Sequence, residues 1–238
     1  MNVLVTGASR GIGKAIALKF ASLKHNIVLV YNKSNYIQVE KFKNYLENEY
    51  DVTCLAIKCD VGHEDEVIKL FDEINFKLGN LDCIVNNAGI SKDEDIDNKT
   101  SEDFMEVIRV NLLGTFLICK YGIKLMDKGS IVNISSNNAF GGYIESVDYD
   151  ASKAGVIALT HDFAKYLAPN IRVNCVCPGW INTDMNKDIF GEFKKIEEKK
   201  ILLKKFGDVK DVANTVYFLA TNEYINDAII KVDGGYGN

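Results

Sequence analysis

The chain has 238 residues, 47% of them apolar, and a formal net charge of −5 with acids and bases interspersed. That length can bury a sizeable core, and the mildly acidic balance argues against a nucleic-acid-binding surface. No run of about 18 apolar residues exists, so no membrane span is expected, and the strand-like start at Asn2 leaves no room for a signal peptide.

Only two prolines occur and there is no Pro/Gly/Ser-rich linker, which points to a single domain over residues 1–238. Six cysteines sit mostly inside apolar patterns, as buried free thiols of a reducing, cytoplasmic protein do. His25, His63 and His161 are far apart and show no metal-ligand spacing, so no metal is expected.

Strand-like and helix-like segments alternate. Val3 to Val5 is a short apolar run ending at Gly7, and Gly11 to Lys24 has helical periodicity. Ile27 to Tyr31 is apolar throughout, as a strand buried on both faces should be. Helix is expected from Asn35 to Glu49, strand from Val52 to Lys58, helix from Glu64 to Leu78 and strand from Cys83 to Val85. A helix begins near Ser101, capped by Ser101 itself with Glu102 and Asp103 in its first turn. A second runs from about Asn111 to Met126. Strand Ile131 to Ile134, helix Tyr149 to Leu167, strand Ile171 to Val176, helix Val209 to Ala220 and strand Ala228 to Val232 complete the order. About seven strands separated by helices imply a doubly wound α/β Rossmann-type domain, a parallel sheet with helices on both faces. Ligands on such sheets bind beyond the strand carboxyl ends. Polar clusters fall at those ends, at Thr6-Gly7, Asn32-Lys33, Asp60-Val61, Asn86-Asn87, Ser135-Ser136 and Pro178-Gly179.

Gly7-Ala8-Ser9-Arg10-Gly11-Ile12-Gly13 follows the first strand and opens the first helix. Such glycines let backbone approach a pyrophosphate, and a helix N-terminus favours the anion. An acid at the end of the second strand would bind the ribose hydroxyl of NAD. This chain has Asn32-Lys33-Ser34 there, and Arg10 adds positive charge, so NADP(H) is expected over NAD(H). Tyr149 and Lys153 stand four apart on an expected helix and share one face. An ammonium beside a phenol favours the phenolate and lowers a value normally near ~10, which suits general acid–base catalysis near neutral pH.

Together these residues resemble the short-chain dehydrogenase/reductase family, and within it the 3-oxoacyl-[acyl-carrier-protein] reductases. The likeness runs through Thr6-Gly7-x-x-x-Gly11-x-Gly13, Asp60-Val61, Asn86-Asn87-Ala88-Gly89, Asn111, Ser136, Tyr149-x-x-x-Lys153, Pro178-Gly179, Thr183 and Asp233-Gly234-Gly235. The resemblance implies that Tyr149 gives the proton to a carbonyl oxygen and that Ser136 orients that oxygen, with Ser135 as a neighbouring rival. Lys153 would hold the nicotinamide ribose, and Asn111 would anchor a water that relays protons to it. Asp60 and Val61 would flank the adenine. Asn87, Ala88 and Gly89 would line the adenosine ribose side, and Pro178, Gly179, Ile181 and Thr183 would contact the nicotinamide carboxamide.

The same resemblance implies an NADPH-dependent carbonyl reductase, foremost of a 3-oxoacyl thioester, and a homotetramer built on the Asn111–Met126 and Tyr149–Leu167 helices and the last helix and strand. The alternative is another alcohol/ketone pair: a sugar, a polyol, a cyclic ketone or a modified protein side chain. A cofactor-binding regulator without catalysis is a third reading. The segment Lys124 to Ser130 is short where the reductases dock acyl carrier protein, so Lys165 and Arg172 are candidates to replace that charge. Asn137 to Tyr143 and Trp180 are expected to line the pocket. Residues 184–205, rich in lysine, are expected to form a lid, with a solvated amphipathic helix carrying Glu–Lys pairs.

Overall fold

A computed structural model describes residues 1–183 and 191–236. Its strands are β1 (Asn2–Thr6), β2 (Asn26–Tyr31), β3 (Cys54–Lys58), β4 (Cys83–Asn86), β5 (Gly129–Ile134), β6 (Ile171–Pro178), β7 (Ile181–Asn182), β8 (Gly207–Asp208) and β9 (Ile229–Val232). The helices are α1 (Gly11–Ala21), α2 (Tyr36–Tyr50), α3 (Glu64–Leu78), α4 (Ser101–Ile108), α5 (Gly114–Gly122), α6 (Asn138–Gly141), α7 (Val147–Leu167), α8 (Glu192–Lys200) and α9 (Val209–Thr221). Seven strands form one parallel sheet in the order β3-β2-β1-β4-β5-β6-β9, and β7 pairs with β8 beside it.

The continuous apolar strands are explained by burial on both sides. On β1 and β2, Val3, Val5, Ile27 and Leu29 face the layer holding Ile16, Phe20, Leu46 and Val216 of α1, α2 and α9. Leu4, Val28 and Val30 face the opposite layer, with Leu70, Ile74, Leu117 and Ala164 of α3, α5 and α7. Strand order reverses between β1 and β4, which places a crevice at the carboxyl ends of those strands.

Several boundaries differ from those expected, for physical reasons. The α4 cap is Thr100, one residue earlier than expected, and it accepts from the Asp103 N–H at 3.1 Å. The two helices expected from Ser101 to Met126 are joined by a π-turn over Arg109–Leu113 and end in a 3₁₀ turn. α7 begins two residues before Tyr149, at Val147. The turn into β9 is made by Asp227, whose φ of 62° lies in the left-handed region that a short polar side chain tolerates. Arg172 donates to the carbonyls of Leu219, Ala220 and Ile225 and closes the end of α9. All six cysteines are free and buried. No helix of the described residues is long and apolar enough to cross a membrane.

Candidate active site

At the end of β1 the chain turns through Gly7 with φ 64°, and Gly11 opens α1 with φ 53°. Both values favour glycine. Gly13 is needed for another reason. A Cβ there would lie 2.3 Å from the Gly7 carbonyl oxygen and 2.5 Å from Asn87 Nδ2, so α1 could not sit this close to the loop. Gly13 therefore lies behind the wall of the cleft, whereas Gly7, Ser9, Arg10, Gly11 and Ile12 line it.

Two braces hold the loop. The Asn87 side-chain amide donates to the carbonyls of Thr6 at 2.9 Å and Gly7 at 3.2 Å. The Thr6 hydroxyl oxygen in turn accepts from the N–H groups of Asn87 and Ala88, each at 2.9 Å. The sequence alone assigns Thr6 no bracing role, although its place before Gly7 at a strand end is the signal that could have marked one. Ser9 and Ser34 hydroxyls meet at 2.6 Å, which ties the glycine loop to the turn after β2.

The cleft has a volume of about 1110 Å³. Its walls include Asn32, Lys33 and Ser34 after β2, Arg10 and Lys14 at the start of α1, and Gln38 and Lys41 of α2. Asp60 and Val61 stand beside them, where Arg109 pairs with Asp60 at 3.4 Å and also lines the cleft. Arg109 carries no motif, and its partner lies 49 residues away.

Ser136, Tyr149, Lys153, Pro178, Gly179, Ile181 and Thr183 line the same cleft, and Asn87, Ala88 and Gly89 link them to the glycine loop: a Cβ on Gly7 would stand 3.0 Å from Ala88, and one on Gly89 3.4 Å from Lys153 Nζ. Thr183 stands over Gly11. The half-buried Tyr149 phenol is hydrogen-bonded to the Ser136 hydroxyl. Ser135 points elsewhere and donates to the Lys153 carbonyl at 2.7 Å, so it supports α7 and is no rival. Lys153 Nζ is buried, donates to the Ile134 carbonyl at 2.8 Å and lies 5.5 Å from the Tyr149 ring centre.

The electrostatics of the pair correct the expected lowering of the phenol pKa. Burial pushes Tyr149 up to about 12, and the Ser136 hydrogen bond only partly opposes it. Burial likewise brings Lys153 down to about 8. In the protein alone, desolvation outweighs the attraction between phenolate and ammonium, so the proton stays on the phenol.

Asn111 is placed by the π-turn and is wholly buried. Its side chain accepts from the Ile90 N–H at 2.9 Å and donates to the Ile90 carbonyl and the Ser152 hydroxyl, both at 3.0 Å. It does not line the cleft. Its side chain fastens the loop after β4 to α7, and its carbonyl accepts from Thr115 at 2.8 Å. With its side-chain oxygen and both amide hydrogens in protein hydrogen bonds, Asn111 braces this junction.

The mouth is formed by Asn137, Asn138, Tyr143, Trp180 and Tyr236. Phe140 is 51% exposed and packs under Lys231 instead of entering the cleft. Residues 184–190 of the expected lid, Lys187 and Asp188 included, lie outside the described residues. α8 is more than a solvated helix. Its Glu197 is 1% exposed and accepts from Trp180 Nε1 at 3.1 Å, the Tyr236 hydroxyl at 2.6 Å and Lys200 at 2.6 Å. Burial pushes this carboxyl up, but the hydrogen bonds outweigh it and hold it below its ordinary range.

A dinucleotide fits what is built here. A backbone cradle admits no Cβ at Gly13, two cations flank the hydroxyls of Ser9 and Ser34, and no carboxylate stands at the turn after β2. The group's far end would come to Tyr149 and Lys153.

The family model described as enoyl-(acyl carrier protein) reductase matches residues 7–237. The chain is 38% identical over 238 residues to a 3-oxoacyl-[acyl-carrier-protein] reductase FabG of Aquifex aeolicus (strain VF5), covering 98% of this chain and 95% of that protein. It is 39% identical over 235 residues to carbonyl reductase family member 4 of Xenopus laevis, covering 97% and 95%. Its fold superposes with a TM-score of 0.92 on a solved structure described as a short-chain alcohol dehydrogenase of Sinorhizobium meliloti 1021, at 28% identity over 99% of this chain and 95% of that one. The chain belongs to the short-chain dehydrogenase/reductase family of oxidoreductases.

Proposed function

We propose that this protein is an NADPH-dependent carbonyl reductase whose foremost substrate is a 3-oxoacyl thioester. The observation that carries the reading is the Tyr149 phenol, joined to Ser136 and next to Lys153, in one cleft with the glycine loop. Bound NADPH supplies the hydride. Tyr149 delivers a proton to the oxygen that gains negative charge, and Ser136 donates a hydrogen bond to the same oxygen. Lys153 holds positive charge beneath the phenol, which favours phenolate as the proton leaves. Asn111 keeps the loop after β4 and α7 in register, and Trp180, Tyr143 and Tyr236 give the mouth an aromatic wall.

The preference for NADPH rests on Arg10 and Lys33 with Ser34, and on the missing acid. The thioester rests on the activities named for the relatives, a carrier-bound 3-oxoacyl group included. A cytoplasmic homotetramer is part of the same reading, since Leu113, Phe116 and Phe218 are exposed apolar side chains on the helices concerned.

The test is nicotinamide oxidation against a panel of acetoacetyl-coenzyme A, sugars, polyols and cyclic ketones, with NADPH and NADH compared. Crotonyl-coenzyme A in the same panel tests the enoyl reduction that the family model's description names. Highest kcat/KM on acetoacetyl-coenzyme A, with lower KM for NADPH, is expected. A better sugar or cyclic ketone moves the substrate class, and a lower KM for NADH overturns the cofactor assignment. Light scattering should give four chains per particle.

A further inference from the structure

One charged pair in the described residues is buried at both ends. Lys99 Nζ meets Asp148 Oδ2 at 2.9 Å, and the two side chains are 4% and 0% exposed. Asp148 immediately precedes Tyr149, and its other oxygen accepts the Tyr149 N–H at 2.9 Å. Lys99 Nζ also donates to the Lys92 carbonyl, in the loop that follows β4. That loop carries Ala88 and Gly89 on the cleft wall. It meets the approach to α7 twice more, through Glu94 N–H to the Glu145 carbonyl at 3.0 Å and Ser146 hydroxyl to Asp93 at 2.6 Å.

We infer that Lys99 and Asp148 are positioning residues that clamp the first turn of α7, and with it the Tyr149 phenol, to the loop after β4 while keeping that junction electrically neutral. The inference rests on reading Tyr149 as the proton donor. Two features separate this pair from ordinary packing. Apolar side chains would fill the same space without the penalty of taking two ions out of water, so stability alone does not call for them. The charge also sits one residue from a group whose work is moving a proton. The charged or titratable groups facing Tyr149 are Asp93 from the loop, Asp150 and Lys153 from α7, and Cys177 from β6. Three of these four are acidic or become negative on ionising. An unpaired carboxylate at Asp148 would add to that side, and an unpaired ammonium at Lys99 would oppose it.

The consequence is an asymmetry that packing does not produce. Removing either partner leaves a buried, unpaired charge at the residue preceding Tyr149, whereas removing both leaves none. The experiment compares Lys99→Met, Asp148→Asn, the double variant and Lys99→Arg with the parent. Each is assayed for kcat and its pH profile in the alcohol-oxidising direction, for NADPH affinity by fluorescence titration, and for thermal stability. Each single variant should lose at least ~10-fold in kcat, less than the ~10²-fold that loss of the proton donor itself costs, with NADPH affinity changed less than ~3-fold, well under a tenfold change.

The rising limb, which reports loss of the Tyr149 proton in this direction, should move to higher pH in Lys99→Met, where a carboxylate is left, and to lower pH in Asp148→Asn, where an ammonium is left. The double variant and Lys99→Arg should return toward the parent in both. Single variants that lose only thermal stability and keep the parental profile would overturn the inference. So would a double variant no better than the worse single, or singles that fail to fold beside a double of parental kcat and profile, since that assigns the pair to folding. A parent without turnover on any ketone is a different failure, that of the reading of Tyr149 itself.

Discussion

Two regions of the cleft wall are built from different materials. The glycine-loop region is made of backbone: Gly7 and Gly11 at positive φ, Gly13 against the Gly7 carbonyl, and the loop braced by Thr6 and Asn87. The carbonyl region is made of side chains that are expensive to bury, namely Tyr149, Lys153 and, at the mouth, Glu197, with Asn111 buried behind the wall. A backbone cradle is rigid and indifferent to which base or ribose lies beyond it. A cluster of desolvated side chains carries charge that can change, which is what a proton transfer needs.

The contrast breaks most sharply at Lys153. Lys153→Met should lower kcat by at least ~10²-fold, the usual scale for groups that serve proton transfer, while leaving the glycine loop able to bind nucleotide. The same variant reads the cost of burial. Burial depresses the folded-state pKa of Lys153 from 10.5 to about 8. Its favourable contribution to stability is therefore absent below about pH 8 and develops as pH rises toward 10.5. Across that window the parent should gain on Lys153→Met by on the order of 3 kcal/mol, since each tenfold change in a proton-binding constant is worth about 1.4 kcal/mol. Chemical denaturation of both proteins between pH 7 and pH 10 checks the sign.

Gly13→Ala acts at the glycine loop and should do the reverse. The added Cβ forces α1 and the loop apart, which should cost about 1–3 kcal/mol of stability as overpacking does. NADPH affinity should fall by more than ~10-fold, since the cradle itself moves. Turnover at saturating NADPH should fall less. A Gly13→Ala protein with parental affinity would show that the backbone contact is not what holds the dinucleotide.

The smallest effect is expected at the mouth. Glu197→Gln keeps the shape but removes the charge that Trp180, Tyr236 and Lys200 bind. The ketone KM should rise about 10-fold, within the range of a charge-assisted hydrogen bond, with kcat within about two-fold. Steady-state kinetics in the ketone decide it; an unchanged KM would show that α8 is held by something else.

The same division explains what could be read from the sequence. A backbone-built site leaves glycines at fixed spacing after a strand, and these were legible at Gly7, Gly11 and Gly13. Tyr149 and Lys153 were legible because four residues is one helical turn. The parallel sheet was legible because β1 and β2 are apolar on both faces. What was hidden depends on residues distant in the chain. Arg109 meets Asp60, Glu197 meets Trp180 and Tyr236, and Lys99 meets Asp148, yet each is an ordinary surface type by composition. The π-turn at Asn111 was hidden because its extra residue breaks the helical period that marks helices in sequence. The phenol's acidity was misjudged because neighbouring charge can be read from spacing, whereas burial cannot.

The central claim is that the Tyr149 hydroxyl gives its proton to a carbonyl oxygen beside bound NADPH. The most direct test is single-turnover reduction of acetoacetyl-coenzyme A by Tyr149→Phe, with NADPH affinity measured on the same preparation. The account predicts a rate at least ~10²-fold below the parent, as for loss of a general acid, with NADPH bound as before. Parental turnover in that variant would contradict it.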